Sequence, residues 1–157
     1  MLEHLESVPW SSLAQPSTNT PSSVPDALLR LAAAESEAEA REAHHRFLFT
    51  IGNNHAGTYF PVVLQTLPFL EEVLRGAAIH ARNAALDILI DLAASFAPDA
   101  SYELVDDETG GRRPLRELVM EHMQTLSDLI RMLALDISAD YTTRRLASDL
   151  LDVLQDR

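Results

Sequence analysis

The side chains in this chain that could do chemistry are mostly carboxylates, and some of them come in helical pairs. Asp87 and Asp91 are four residues apart, and Glu117 and Glu121 repeat the spacing. At that interval two like charges share a helix face and destabilise an isolated helix by roughly 0.2–0.5 kcal/mol. A cationic partner would reverse that sign, and so would arginines folded against the pair. Each pair is therefore either a binding face or an internally neutralised stripe. A third acidic group, Glu103, Asp106, Asp107 and Glu108, lies in a polar stretch that ends in Gly110–Gly111 and Arg112–Arg113. Such a cluster suits a basic cleft, where it would stand in for phosphates, although a solvated loop has the same composition.

None of these carboxylates is expected to serve as a general acid or base. Each pair falls on a solvent face or in a loop, where burial does not raise a pKa. Nor do the histidines suggest a metal centre. His44 and His45 are adjacent and point about 100° apart on a helix, no His-x3-His pair occurs, and the chain has no cysteine to supply a thiolate. His44 and His122 fall on apolar faces and read as hydrogen-bonded core histidines, whereas His55 sits in a turn that its hydrogen bonding would fix. No phosphate-binding loop, GxSxG elbow or dinucleotide fingerprint is present. The expectation is a protein without catalytic residues, metal or cofactor. Tyr59 and Tyr102 fall in turns, where an aromatic can anchor an interface; Tyr59 could equally staple a helix start.

The charge balance narrows the partner. Twenty-four acidic residues face 12 basic ones, all of them arginine, for a net charge of −12. Nucleic acids and anionic membranes require clustered positive charge, so direct binding to either is disfavoured. A basic protein surface would be captured fast, by electrostatic steering. The longest apolar run is interrupted by Asp87 and Asp91, so no segment is expected to span a membrane. The N-terminus MLEHLESVPW has no basic region before an apolar run, and together with the absence of cysteine this points to a cytoplasmic setting.

The elements that must position these groups read as helices. With 157 residues, of which 46% are hydrophobic, one packed domain is affordable, and the alternating Val/Ile/Thr runs of a sandwich are missing. Residues 1–23 read as an irregular arm and linker rich in Pro, Ser, Thr and Asn, and 24–157 as the helical domain. Helices are expected from Ser23 to about Ala34 and from about Ser36 to Ile51. A Gly-containing turn then leads into a helix bearing Pro61 and Pro68, the second of which should kink or split it. The Ala77–Ala97 segment is apolar almost all round, so it should be the central, covered element. Arg82 falls within its apolar arc and should pair with a carboxylate or a helix-end carbonyl. A long acidic loop, 98–113, precedes a helix over about 114–136 and a last helix capped by Ser138. The sum is an all-α domain of about six helices and no strands.

The segment His55, Gly57, Thr58, Phe60, Pro61, Pro68, Phe69, Leu70 resembles a signature of small bacterial HEAT-repeat-like proteins. Trp10 to Leu13 and Val24–Pro25 are similar to the N-terminal portion of that family, so the likeness covers roughly residues 10–97. It implies an α-solenoid of antiparallel HEAT-like helix pairs, and such arrays usually bind rather than catalyse. Short proteins of this kind are often similar to immunity proteins of polymorphic toxin systems. The resemblance thus implies a cytoplasmic inhibitor that masks the active site of a cognate toxin domain, one with a basic cleft. The residues expected at that contact are Asp87, Asp91, Tyr102, Glu103, Asp106, Asp107, Glu108, Glu117 and Glu121. A scaffold or adaptor joining two cellular proteins is the alternative, and a HEAT-like protein acting on a small molecule is a more distant one.

Overall fold

Trp10 shows how the polypeptide closes on itself. Its indole nitrogen donates to the Leu5 carbonyl at 2.7 Å, and its ring lies 6.1 Å from that of Phe69, in a helix almost sixty residues on. The computed structural model describes residues 2–106 and 110–156. Short 3-10 turns at Leu2–Ser7 and Trp10–Ser12 lead to seven α-helices: α1 (Ser23–Ala32), α2 (Glu37–Ile51), α3 (Val63–Arg75), α4 (Ile79–Ile90), α5 (Leu115–Thr125), α6 (Ser127–Leu135) and α7 (Tyr141–Gln155). The described residues are mostly helical, and among them are five very short strands.

The apolar spacing explains which faces are buried. Along α4, Ala81, Ala84, Ala85, Leu86, Ile88 and Leu89 are all buried, and Leu92 and Ala93 continue the core into a π-helical turn, Asp91–Ser95. This helix packs against α1, α2, α3 and α7, the central place expected for a segment apolar on most sides. Ile79, at its first turn, is the exception and remains half exposed. Arg82 meets its expected partner: Nε donates to the Leu74 carbonyl at 3.2 Å and a guanidinium nitrogen donates to that of Gly76, satisfying the end of α3.

Cross-links fix the directions of three helices. Glu39, near the start of α2, lies within electrostatic reach of His80 near the start of α4, and His44 reaches Asp91 farther along both. Thr143, at the start of α7, donates its hydroxyl to Asn83 at 2.6 Å, while Asp87 lies within reach of Arg145 and Asp149. Thus α2, α4 and α7 run the same way, side by side. On the other side α1 packs against α3, and α3 against α5.

Five local expectations change. Pro68 does not split α3, with Leu67, Phe69 and Leu70 around it buried in the core. The single helix expected over 114–136 divides at Leu126 into α5 and α6. Beside the break, the Thr125 hydroxyl donates to the His122 carbonyl at 2.6 Å, the local bonding that competes with helix continuation. The last helix is capped by Asp140, whose carboxylate accepts the Thr143 N–H at 3.1 Å, while Ser138 bonds Asp136. Strands also occur where none was expected. In the signature turn, β1 (Gly52–Asn53) pairs antiparallel with β2 (Thr58–Tyr59), which pairs parallel with β3 (Ala97–Pro98). The turn is held by Asn53, whose side-chain oxygen accepts from the amides of His55 and Ala56; the His55 ring instead packs edge-on to Phe49, 4.9 Å away.

Candidate functional site

The three parallel helices leave a groove of about 830 Å³ between them. From α2 it is lined by Glu37, Ala40, Arg41, His44 and His45. The α4 wall supplies Ile79, His80, Asn83, Ala84, Asp87, Ile90 and Asp91, and the α7 side Asp140, Thr142, Arg145 and Leu146. Most of these side chains are polar, because they occupy positions that each helix turns away from its buried stripe, with Ala40, Ile79, Ala84, Ile90 and Leu146 interspersed among them.

Within the groove the polar groups differ in how far the fold itself satisfies them. Arg41 donates to Glu37 at 3.0 Å on the same helix face. Asp140 is engaged as the cap of α7. The Nε2 of His44 lies 2.9 Å from Oδ2 of Asp91, both of them only partly exposed. Asp87 is different, for it stands open to the groove with His44, Asp91, Arg145 and Asp149 around it at electrostatic range. Reduced solvation between the helices pushes its carboxyl above the ordinary value; His44 and Arg145 pull it back, while Asp91 and Asp149 push it further. A carboxylate in that position gains from an incoming cation, which relieves both the lost hydration and the repulsion.

The residues expected at a contact do not converge on one surface. Asp87 and Asp91 line the groove. Glu117 and Glu121 sit on α5, outside it, and both pair with Arg113, Glu121 through two hydrogen bonds of 3.0 and 2.5 Å and Glu117 at 3.6 Å. That pair is thus partly neutralised within the fold, by one arginine set against two carboxylates. Tyr102 is half-buried, with its ring 5.1 Å from that of Phe60. Glu103 is exposed, and its carbonyl accepts the Leu115 amide at 2.9 Å. Asp106 belongs to a small antiparallel hairpin, β4 (Leu104–Asp106) with β5 (Arg112–Pro114), where it faces Arg112 at 4.0 Å. Asp107 and Glu108 lie outside the described residues.

Residue spacing missed His44, His80, Asn83 and Arg145 as groove residues. His44 shares its helix face with Ala40 and Phe47 and so resembled a core histidine, and its partner Asp91 is 47 positions away. The adjacent pairing of polar residues on α2, α4 and α7 is a consequence of helix packing, for which no local motif exists. Among the described residues, no three His, Asp or Glu side chains converge so as to hold a metal ion, and no helix is long and apolar enough to cross a membrane. No family model, curated protein or solved structure matches this chain.

Proposed function

We propose that this protein is a non-catalytic binding module of the α-solenoid kind, three helix pairs whose α2–α4–α7 groove receives a cationic element of a partner protein. The pairs are α1 with α2, α3 with α4, and α5–α6 with α7; the second member of each lines the groove. The observation that carries the reading is the placement of Asp87, exposed in the groove one helical turn from a second acid, in a chain of net charge −12. Retaining such a group disfavours the free fold, and a guanidinium or ammonium supplied from outside offsets that cost.

The finer form of the proposal takes the partner's class from the resemblance of residues 10–97: a toxin domain with a basic active-site cleft, neutralised in the cytoplasm by occlusion. A groove in which six charged side chains and three histidines stand among the apolar ones suits a protein surface better than an apolar small molecule, whose pockets are predominantly hydrophobic. The test is co-expression with the product of the neighbouring gene, followed by co-purification and growth rescue. Asp87→Arg is expected to slow association and abolish rescue, whereas Asp106→Arg leaves both intact. The reverse pattern moves the contact to the β4–β5 hairpin. Stable capture of housekeeping proteins without rescue replaces the inhibitor by an adaptor.

A further inference from the structure

We propose that the partner's cation is accompanied by an apolar anchor, which seats on a lip formed where the α6–α7 turn meets the first turn of α4. This rests on the groove being the docking site. Of eight large hydrophobic side chains exposed among the described residues, four fall between positions 132 and 141: Met132, Leu135, Ile137 and Tyr141. Ile137 is 91% exposed and Tyr141 72%. Ile137 is displayed by the turn between α6 and α7, Tyr141 by the first residue of α7, and Met132 and Leu135 by α6. The Asp136 carboxylate accepts both the amide of Ser138 at 2.9 Å and its hydroxyl at 2.6 Å, and Asp140 caps α7 just beyond.

The turn adjoins the end of the groove. Tyr141 stands between Asp140 and Thr142, both of which line it, as does Ile79, itself 47% exposed. Asp136 lies within electrostatic reach of Arg82, one helical turn from Ile79. The turn bearing Ile137 and the start of α7 bearing Tyr141 thus lie toward the same end of the groove as Ile79, tied there by the Thr143–Asn83 hydrogen bond, and Asp87 lies eight residues farther along α4, about 12 Å at 1.5 Å per residue.

Charge selects the occupant. A second copy would bring another −12 against Asp87, Asp136 and Asp140, so self-association through this face is opposed. A basic segment of another protein, with an apolar side chain about two helical turns from an arginine or lysine, satisfies both ends together. The apolar contact supplies affinity, and the cation sets register along α4.

The probes are two synthetic alanine-rich helical peptides, titrated against the full chain at low salt by fluorescence anisotropy. One carries Leu and Arg seven residues apart on one face; the other has Ser in place of that Leu. The Leu peptide is expected to bind about tenfold tighter, as burial of one leucine implies. In a chain with Ile137→Ser and Tyr141→Ser the difference disappears, and Asp87→Asn weakens both peptides alike. Equal binding of the two peptides, still dependent on Asp87, overturns the lip and leaves the groove reading standing. Binding indifferent to Asp87 overturns the groove reading itself. Sedimentation showing a dimer that Ile137→Ser dissolves assigns the lip to a second copy and overturns the proposal.

Discussion

His44 and Asp91 meet across the groove, with 2.9 Å between Nε2 and Oδ2, and so tie α2 to α4 at the point where α4 passes into its π-helical turn. The pair links one edge of the groove to its floor and leaves Asp87, one turn back, as the acid next to it.

Breaking that tie should cost stability. His44→Ala leaves Asp91 partly buried without its imidazole, a loss of about 1 kcal/mol for a partly exposed hydrogen bond. The denaturant midpoint is expected to fall with an unchanged m-value. An unaltered midpoint would show that the two side chains merely lie near each other.

Asp87 should behave in the opposite sense. Its folded-state pKa is raised, so the stability linked to its proton is fully present below the unfolded value of about 3.8 and lost as pH rises through the folded value. At pH 7 the ionised group disfavours the fold. Asp87→Asn is therefore expected to raise Tm by roughly 1–2 °C, because the carboxylate is still open to water and the effect is a fraction of a kcal/mol. The gain should shrink as pH approaches 4. A variant less stable than the parent at pH 7 refutes the argument.

His122 predicts a second pH effect, on the acid side. Burial lowers its pKa, opposed by Glu71, and its Nε2 has no hydrogen-bond partner. A depressed histidine contributes stability that is present above the unfolded value of about 6.5 and lost as pH falls through the folded value. Replacement by Gln should flatten the stability profile below pH 6, measured by urea melts at stepped pH. A profile of unchanged slope would exclude His122 as the group responsible.

Gly52 is required for space. Its backbone is extended, with φ −176°, but a Cβ there would stand 1.9 Å from the Thr58 carbonyl oxygen across the β1–β2 pair. Gly52→Ala is expected to destabilise the fold by about 2–3 kcal/mol and to loosen the signature turn, since backbone rather than a flexible side chain must move. Amide exchange at Phe60, which donates to the Ile51 carbonyl at 2.8 Å, reports this directly.

Arg82→Met tests the end of α3. The apolar stem survives while the bonds to Leu74 and Gly76 are lost, so about 2 kcal/mol should go with them. Lys at this position should recover only part, lacking the fork that reaches two carbonyls. Full recovery by Lys would reduce the guanidinium to a simple charge.

Much of the fold was legible because helical periodicity is a local property. The buried stripe of α4, the cap-to-glycine span of α2 and the carbonyl partner of Arg82 all follow from positions within a few turns of one another. The misreadings share another origin. Pro68 does not split its helix because the core around it outweighs the lost bond, and at the α5–α6 break the Thr125 hydroxyl bonds the His122 carbonyl, a side-chain contact that periodicity ignores. The two acid pairs look alike in the chain. Arg113 reaches Glu117 from the middle of β5, four residues earlier, so that pairing was within local reach; nothing local distinguishes Asp87.

The amino-acid sequence by itself determined that this protein is helical, acidic and built around one nearly all-apolar segment, because each of those properties is a sum over neighbours. Only the tertiary structure decided that α2, α4 and α7 run parallel and bring His44, Asp87, Asp91 and Arg145 to a single groove. Those four side chains come from helices separated by tens of residues, and their proximity is set by how buried faces pack, which no spacing along the chain encodes.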